Sequence, residues 1–408
     1  MSLTLIPTKS SIENSGTFLV GCTLETLLYW SKICVCRKFQ YFLRENAMDF
    51  VPVITTPHQV HMRKKTPARP DDGQMMSQKK NRYSFSLLTN PKHTLSMLRS
   101  VIQRFSRRNL TGITRSMSSK RAIGDDECFV ITGGGSGIGQ AASMDLLRRG
   151  VTLVVMGPIQ KELDDTMALA KSEDVKGEMI PVLADIREDS GRKAVADAVK
   201  STGKDLRVLI HNAGVNTPCK KMMDLSPAEW DRVMNINMNG PLYLTQELYP
   251  LFGKADTDKN RILMLSTIAK ACTGLPNYGP YCVSKLGAYG IALMLKEELP
   301  EGSTPVYTST LVPGEVNTEM QKQTAYSSSS GFPEHLVKHW RMLHETNQLL
   351  PPAVPGAFIS FVTCDTTPQE YLDNEWFVYD DWHHERWAQG FAADGVEIKE
   401  PVGLFGDH

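Results

Sequence analysis

The chain has 408 residues, of which 41% are hydrophobic, enough for the core of one large domain or of two or three smaller ones. The formal net charge of zero hides an asymmetry not expected within one folding unit: residues 1–124 carry 20 Lys plus Arg against 6 Asp plus Glu, whereas residues 125–408 carry 25 against 39. The eight cysteines show neither a disulfide framework nor a zinc spacing, which excludes both kinds of site and indicates free thiols in a reducing compartment.

Residues 1–122 are predicted to form a basic, largely disordered extension. They are rich in Lys, Ser, Pro and Met and show few sustained apolar patterns, a composition that cannot bury a core. The most apolar stretch, TFLVGCTLETLLYW from Thr17, is interrupted by Glu25 and is too short for a confident membrane span. We therefore predict no transmembrane segment and a folded domain over residues 123–408.

Residues 97–121 of this extension have a helical pattern. Four apolar side chains recur at helical spacing, namely Leu98, Val101, Ile102 and Phe105. The arginines of this stretch lie mostly on the other faces of the predicted helix. No Asp or Glu occurs from Gly73 to Gly124. An Arg- and Ser-rich amphipathic helix without acids is typical of a presequence, so we predict an organelle matrix, preferably mitochondrial, with the cytoplasm as the alternative. A basic nucleic-acid-binding module in residues 63–121 is less favoured, and no nucleic-acid partner is predicted.

The acidic part of the chain opens with an apolar run and a glycine-rich turn. Residues 129–132 predict a buried strand, and Gly133, Gly137 and Gly139 follow within the sequence TGGGSGIG. Helical apolar spacing continues from Ala141. A strand, a glycine turn and a helix form a phosphate cradle, because glycines let the backbone approach a pyrophosphate and the helix N-terminus presents free N–H groups.

Five further apolar runs predict strands that alternate with helices. The runs are TLVVM, MIPVLADI, DLRVLIHNAG, RILMLST and VYTSTLVPG, and helical patterns lie near residues 160–172, 189–201, 227–252 and 281–299. This alternation predicts an α/β fold with a parallel, doubly wound sheet. Ligands bind such sheets at the carboxyl ends of the strands, where Asp185, Asn212 and Ser266 lie.

The sequence PNYGPYCVSK at residues 276–285 places Tyr281 four residues before Lys285. Residues four apart share one helix face, at roughly 5–6 Å between Cβ atoms. Pro280 favours a helix start near itself, which leaves Tyr278 in the preceding loop. Because a neighbouring ammonium favours the phenolate, Tyr281 is predicted to have a lowered pKa and to exchange a proton near neutral pH.

Over about residues 126–385 these motifs, in this order, resemble the short-chain dehydrogenase/reductase family in its single-domain form. TGGGSGIG matches the family's TGxxxGxG motif, HNAG its NNAG motif with His211 in place of the first Asn, NINMNG its catalytic asparagine, YCVSK its Tyr-x-x-x-Lys pair and VPGEVNT its PG motif. The resemblance implies a Rossmann-fold oxidoreductase. The catalytic residues it implies are Tyr281, Lys285, Asn237, and Thr267 or Ser266. The cofactor-binding residues it implies are Thr132, Gly133, Ser136, Gly137, Ile138, Gly139, Asp185, Ile186, Asn212, Ala213, Gly214, Lys285, Pro313, Gly314, Val316 and Thr318.

The resemblance also implies a mechanism, which is hydride transfer between a nicotinamide and a secondary alcohol or carbonyl carbon. Tyr281 would exchange the proton of the substrate oxygen. Lys285 would lower the Tyr281 pKa and bind the nicotinamide ribose, and Asn237 would support a water beside Lys285. Asp185 would contact the adenine ring.

Two places depart from the family pattern. The fifth strand ends in Ser266-Thr267 rather than in two serines; strand register puts Thr267 in the catalytic position, with Ser266 as the alternative. After the second strand, Gly157 and Pro158 stand where an acid would favour NAD, and Lys161 is the nearest cation for a 2′-phosphate. The predicted cofactor is therefore NADP or NAD, with NADP slightly favoured.

The C-terminal part predicts a variable substrate lid near residues 318–350, with a flexible hinge at residues 327–331. EWFVYDDWHHERW resembles the last strand and tail of some family members. Adjacent His383 and His384 lack metal-ligand spacing, so no metal is predicted. Trp376, Trp382 and Trp387 are expected to pack against this tail or at a subunit interface. A homo-oligomer, either a dimer or a tetramer, is predicted.

The predicted function is an NAD(P)-dependent oxidoreductase, an alcohol dehydrogenase or carbonyl reductase, with a small-molecule alcohol or carbonyl substrate. The alternative from another class is a catalytically weak dinucleotide-binding sensor or scaffold, which the threonine at position 267 would permit. Intact Tyr281, Lys285 and Asn237 favour the enzyme. A sugar-nucleotide epimerase would share Tyr-x-x-x-Lys, but its glycine spacing normally differs and it carries a larger C-terminal domain.

Overall fold

The computed structural model describes residues 123–267, 275–326 and 331–401, together with three strands nearer the N-terminus. These strands are β1 (Thr17–Leu19), β2 (Met48–Ile54) and β3 (Val60–Lys64), which pair antiparallel in the order β1–β3–β2. They were not predicted from the sequence. The predicted targeting segment at residues 97–121 and the hinge residues 327–330 lie outside the described residues.

The chain divides into two compact units, Met1–Ser116 and Met117–His408. The sequence placed this boundary slightly later, between residues 122 and 123. The glycine turn and the Tyr-x-x-x-Lys pair both lie in the second unit.

Seven parallel strands form the sheet of the second unit, in the order β10–β9–β8–β7–β4–β5–β6. The strands are β4 (Glu127–Thr132), β5 (Thr152–Gly157), β6 (Glu178–Leu183), β7 (Asp205–His211), β8 (Arg261–Leu265), β9 (Tyr307–Val312) and β10 (Trp376–Phe377). Strands covered on both faces bury successive side chains, which is why the central strands appear in the sequence as continuous apolar runs. The order reverses direction between β4 and β7, and such a switch point is where doubly wound sheets bind ligands.

Helices connect the strands and cover both faces of the sheet. They are α1 (Gly137–Arg148), α2 (Gln160–Ser172), α3 (Asp189–Ser201), α4 (Pro227–Met234), α5 (Gly240–Leu248), α6 (Gly279–Glu298), α7 (Glu319–Tyr326), α8 (Glu334–Glu345), α9 (Ala353–Cys364), α10 (Pro368–Asp373), α11 (His384–Trp387) and α12 (Gln389–Ala393). Short 3-10 turns lie at Met222–Asp224, Tyr249–Leu251, Thr257–Lys259 and Asp381–His383, and a π-helical turn at Asn235–Asn239 joins α4 to α5.

Alternate side chains of each central strand belong to two different apolar cores. Phe129 and Ile131 of β4 face a core built with α1 and α9, whereas Val130 faces a core built with α3, α5 and α6. Helix α9 reads AVPGAFISFVTC and is buried nearly all round. It lies so close to α1 that a Cβ at Gly356 would overlap Ala141. The doubly wound α/β fold predicted from the sequence is confirmed.

The predicted lid corresponds to α7 and α8, which pack around a third apolar core. Trp340 and Leu343 are buried there, so both are core residues of the lid. In the C-terminal tail Trp376 is fully buried, whereas Trp382 is 52% exposed. His383 Nε2 bonds the Phe377 carbonyl oxygen at 3.1 Å, and over the described ranges no group of three or more metal-ligating side chains occurs.

No helix within the described ranges combines the length and the apolar character needed to cross a bilayer.

Candidate functional site

The glycine turn joins the end of β4 to the start of α1 and depends on glycine at specific positions. Gly133 and Gly137 have φ values of 64° and 54°, in the left-handed region that residues with a Cβ rarely adopt. A Cβ at Gly139 would overlap the carbonyl oxygen of Gly133. Helix α1 has no acidic residue in its first turn, so its free N–H groups and positive dipole end can receive an anion such as a pyrophosphate.

The segment after β7 holds the glycine turn in place. The Asn212 amide donates to the carbonyl oxygens of Thr132 at 3.0 Å and Gly133 at 2.9 Å. In return, the Thr132 hydroxyl accepts from the backbone N–H groups of Asn212 and Ala213, at 3.2 and 3.1 Å. Because these four hydrogen bonds join two strand ends, the turn is shaped before any ligand arrives. They give Thr132, which is buried, a positioning role.

His211, the residue that departs from the family's NNAG motif, is buried behind this segment. Its Nε2 bonds the Thr245 hydroxyl at 2.8 Å, and burial lowers its pKa to about 3. The ring is therefore neutral at physiological pH. The departure fills a core position and adds no charge to the site.

Tyr281 and Lys285 lie one turn apart on α6, as their spacing predicted. The helix begins at Gly279 with Pro280 in its first turn, so Tyr278 precedes it as expected. The Lys285 ammonium donates to the Leu265 carbonyl oxygen at 2.9 Å and lies 5.9 Å from the centre of the Tyr281 ring. Burial lowers the pKa of Lys285 to about 8.

The expected lowering of the Tyr281 pKa is not found in this structure. Burial raises the pKa of Tyr281 to about 12, against a smaller lowering by a hydrogen bond from Thr267. The Lys285 ammonium donates its hydrogen bond to the Leu265 carbonyl oxygen, so it does not lower the pKa of Tyr281 as the spacing predicted. Desolvation disfavours the phenolate more than the Thr267 hydrogen bond favours it, so Tyr281 is a phenol at neutral pH and still holds the proton that a donor needs.

The two hydroxyls at the end of β8 have different surroundings. Thr267 hydrogen-bonds the Tyr281 phenol, which favours the threonine for the catalytic position. Ser266 lines the cavity described below, and its buried hydroxyl has no hydrogen-bond partner within the described part of the chain. Ser266 therefore remains able to bond a ligand.

Asn237 lies in the π-helical turn, buried behind the cavity wall. Its amide group accepts from the Val215 N–H at 2.8 Å and donates to the Val215 carbonyl oxygen at 2.8 Å and to the Ser284 hydroxyl at 3.0 Å. A Cβ at Gly214 would lie 3.5 Å from Asn237 Oδ1 and 3.6 Å from Lys285 Nζ. Asn237 and Lys285 thus meet across Gly214, and the asparagine ties the loop after β7 to α6.

The loop after β9 carries the PG motif and is held by the C-terminal tail. Gly314 has a φ of 81°, and the Tyr379 ring lies where its side chain would be. The Glu315 N–H donates to the Tyr379 hydroxyl at 2.8 Å. Val316 is buried and pairs with Leu350, so it supports the loop from behind, whereas Thr318 faces the cavity.

One cavity of about 560 Å³ runs from the glycine turn to Tyr281 and Lys285. The predicted site residues that line it are Gly133, Ser136, Gly137, Ile138, Gly139, Asp185, Ile186, Asn212, Ala213, Gly214, Ser266, Tyr281, Lys285, Pro313 and Thr318. Residues that the sequence reasoning missed also line it, among them Ile159, Glu162, Arg187, Arg232, Glu319 and Met320. Arg187 could have been found from its place two residues after Asp185, whereas Arg232 is brought in by α4 from a distant part of the chain.

The charges near the far end of the cavity differ from those expected. Lys161, predicted as the nearest cation for a 2′-phosphate, forms a 2.6 Å ion pair with Asp165 on the exposed side of α2 and does not line the cavity. The Arg187 guanidinium instead lines it and pairs with Asp185 at 2.6 Å, which lowers the pKa of that carboxyl. Within the described residues, Arg187, Arg232 and Lys285 are the cations of the cavity wall.

The segment predicted as a lid contacts Tyr281 through a chain of aromatic side chains. The Tyr278 ring stacks on Tyr281 with centres 4.6 Å apart and meets Phe332 edge-on at 4.9 Å. Phe332 in turn contacts Trp340 of α8 at 4.6 Å. Tyr278, predicted to lie in the loop before α6, thus lies between Phe332 of this segment and Tyr281.

Comparison with known protein sequences gives three findings. Residues 127–329 match a family described as short chain dehydrogenase. The chain is 31% identical over 201 residues to dehydrogenase/reductase SDR family member 4 of Bos taurus, covering 48% of this chain and 68% of that protein. It is 27% identical over 275 residues to the short chain dehydrogenase tazN of Aspergillus terreus, covering 67% of this chain and 55% of that protein, so it spans only about half of that relative's length.

A solved structure shows the same fold. The crystal structure of the short chain dehydrogenase/reductase YIR035C from Saccharomyces cerevisiae has a TM-score of 0.56 and 23% identity. The match covers 64% of this chain and 99% of that one. At this identity the likeness bears on the fold alone.

Proposed function

This chain belongs to the short-chain dehydrogenase/reductase family, and from that premise we propose that it is an NAD(P)-dependent oxidoreductase that interconverts a secondary alcohol and a carbonyl compound. One observation carries the proposal. Tyr281 and Lys285, on one face of α6, meet the end of β8 at one end of a cavity whose other end is the glycine turn. A dinucleotide and a small substrate can therefore be held side by side.

The residues of the cavity wall fit a dinucleotide. The glycine turn leaves space that a Cβ would fill, and the α1 N-terminus would face the pyrophosphate. Asp185 with Ile186 would bound the adenine, and Pro313 with Thr318 the nicotinamide. Bound there, the nicotinamide supplies or accepts a hydride.

Proton exchange is assigned to Tyr281. With its pKa raised to about 12, the phenol is protonated at neutral pH and can donate to a carbonyl oxygen during reduction. The Thr267 hydroxyl, bonded to the same phenol, would help to polarise that oxygen. Lys285 would hold the nicotinamide ribose, and Asn237 would position Lys285 through the loop at Gly214.

A slight preference for NADP is part of the proposal. It is supported by the missing acid after β5, where Gly157 and Pro158 line the cavity. It is further supported by Arg187 and Arg232 in the wall, which are cations that a 2′-phosphate could approach. Since Arg187 already pairs with Asp185, the preference is expected to be modest.

The remaining proposals concern the setting of the enzyme. We place it in an organelle matrix, preferably mitochondrial, on the sequence pattern of residues 97–121 alone. A homo-oligomer is supported by exposed apolar side chains on one face of α6. The sensor or scaffold alternative rested on the threonine at position 267, and the contact of that hydroxyl with Tyr281 supports the enzyme instead.

The test of the function is Tyr281→Phe. Removal of one hydroxyl deletes the proton donor and leaves the ring packing, so hydride transfer should fall by about 10²–10⁴-fold while cofactor binding is nearly unchanged. Stopped-flow measurement of nicotinamide absorbance, with a panel of alcohols and carbonyl compounds and both cofactors, gives the rate.

Tyr278→Phe is the matched control, because it removes a hydroxyl from the ring that stacks on Tyr281. It should leave the hydride step within a few-fold and change mainly substrate affinity. The Thr267→Ser variant should retain activity, and the Ser266→Ala substitution should reduce activity only slightly. An inactive Tyr278→Phe beside an active Tyr281→Phe would overturn the assignment.

A further inference from the structure

The end of the cavity assigned above to the adenine is formed by a loop whose backbone is held by α3. This loop follows β6, and its residues Asp185, Ile186 and Arg187 line the cavity. Arg192 of α3 donates through Nη1 to the carbonyl oxygens of Ile186 at 2.9 Å and of Arg187 at 2.8 Å. A Cβ at Gly191 would overlap the carbonyl oxygen of Asp185. The side chains of Asp185 and Arg187 therefore leave the backbone at fixed positions.

The carboxylate of Asp185 is occupied by its neighbour Arg187. Its Oδ1 accepts from the Arg187 backbone N–H at 2.9 Å and from Nε at 3.0 Å, and its Oδ2 accepts from Nε at 2.9 Å and from Nη2 at 2.6 Å. A carboxylate offers about four acceptor sites, and these four contacts fill them. The two side chains are 29% and 39% exposed, so the pair contributes orientation more than stability.

Arg187 presents hydrogen-bond donors to the cavity. A guanidinium carries five N–H groups in one plane and has no acceptor. Nε and Nη2 form the edge that meets Asp185, so the two N–H groups of Nη1 point away from the carboxylate. Arg232 brings a second guanidinium to the cavity wall and donates through Nη1 to the Thr217 carbonyl oxygen at 3.1 Å. Of these three charged groups, two are cations, which suits a ligand edge that accepts hydrogen bonds.

The common purine bases differ in the hydrogen bonds that they offer beside N7. Adenine carries an amino group there, which donates, whereas hypoxanthine and guanine carry an oxygen, which accepts. An arginine pairs well with an edge formed by that oxygen and N7. A free carboxylate, which only accepts, would instead pair with the amino group of adenine. A direct contact between Asp185 and that amino group would require the ion pair with Arg187 to open.

We infer that Arg187 contacts the base of the dinucleotide, that Asp185 acts by positioning Arg187, and that this subsite accepts a 6-oxopurine as readily as adenine. The inference rests on the proposed dinucleotide-dependent function and names the base selectivity of that same site. It concerns the base alone, so it is independent of the preference between NAD and NADP.

The test compares reduced dinucleotides that differ only in the base, adenine or hypoxanthine, each with and without a 2′-phosphate. Nicotinamide fluorescence gives their affinities for the full chain and requires no turnover. The wild type should bind the hypoxanthine form within about threefold of the adenine form, or more tightly. Arg187→Ala frees the Asp185 carboxylate to accept from the amino group, so this variant should prefer adenine by about fivefold or more. Adding Asp185→Ala should abolish that preference, an effect that loss of structure alone would not produce.

Lys161→Ala is the matched control, because Lys161 also pairs with an aspartate at 2.6 Å but lies outside the cavity wall. It should leave the ratio of affinities as in the wild type. The inference is overturned if the wild type prefers adenine by more than about threefold, if Arg187→Ala leaves the ratio unchanged, or if Lys161→Ala changes it equally. In each of those cases dinucleotides still bind. A chain that binds none of the four dinucleotides would overturn the proposed function, and the inference with it.

Discussion

The amino group of Lys285, which donates to the Leu265 carbonyl oxygen, is buried between α6 and β8, and this burial determines how it titrates. Burial lowers the pKa of Lys285 from 10.5 to about 8. The buried ammonium therefore destabilises the folded state, and this destabilisation is complete below about pH 8. It is relieved between about pH 8 and 10.5, and stability from this group rises with pH there. The pKa of Tyr281 is raised from 10.0 to about 12, so its contribution to stability falls as the pH rises between those two values.

Cofactor affinity should therefore depend on pH. If Lys285 holds the nicotinamide ribose, the ammonium donates a stronger hydrogen bond than the neutral amine that forms above about pH 8. The dissociation constant of the reduced cofactor, measured by fluorescence at pH 7 and at about pH 9.5, should rise by roughly tenfold. Lys285→Met should bind weakly at both pH values. An affinity that is flat in the wild type, or an equal decline in Lys285→Met, would contradict this.

The sequence predicted the position of Tyr281 but not the direction of its pKa shift, and the reason is distance along the chain. The Tyr-x-x-x-Lys spacing and the helix start at Pro280 are local properties, so they could be read correctly. Whether the phenol is desolvated depends on residues far away, including the lid, and whether the ammonium reaches it depends on the Leu265 carbonyl. Those contacts exist only in the folded chain.

At the scale of elements, α6 has an inner face that carries the chemistry and an outer face that has no partner within the described residues. The outer face bears four exposed apolar side chains at helical spacing: Val283, Leu286, Leu293 and Met294. Leu286 is 55% exposed and Met294 57%. An apolar stripe of this kind on a helix is typical of a subunit interface.

Leu286→Glu combined with Met294→Glu should convert the predicted homo-oligomer to a monomer. Two carboxylates opposite their own symmetry copies repel each other and would be desolvated, which costs several kcal/mol. Size-exclusion chromatography with light scattering gives the mass. Met167→Glu is the control, because it places a carboxylate on an exposed apolar position of α2 and should not change the mass. A monomeric wild type, or a double variant of unchanged mass, would refute the interface.

The helices and strands show where sequence patterns are sufficient. Six strands of the sheet were predicted because apolar runs alternated with helical spacing, and each helical region predicted between them contains a helix. The C-terminal residues after α8 were harder to read. Helix α9 is apolar on all faces and shows no amphipathic period, and β10 has only two residues.

At the scale of the whole molecule, the change of charge near residue 120 coincides with the division into two units. Protein beginning at Met117 should fold alone and melt within a few degrees of the full chain, because the core of the second unit is built from residues 123 onward. Differential scanning calorimetry of both proteins tests this. Insoluble or much less stable protein from Met117 would show that the extension is part of the fold.

The extension is also where sequence reasoning reached least far. Its basic stretch without acids was interpreted as a targeting presequence. Composition alone does not predict a fold there, because the features of such a segment are selected by receptors outside the chain. Strand β1 has only three residues, and β2 contains Pro52, a residue that argues against a strand.

The hydrogen bonds between Asn212 and the glycine turn have a consequence for how this protein can evolve. The Asn212 amide donates to two carbonyl oxygens about eighty residues earlier in the chain, and the Thr132 hydroxyl accepts from the backbone N–H of Ala213. A change in the turn that moved either carbonyl would be tolerated only with a compensating change at position 212. The two segments are therefore epistatically coupled, and variants of one are expected to carry matching variants of the other.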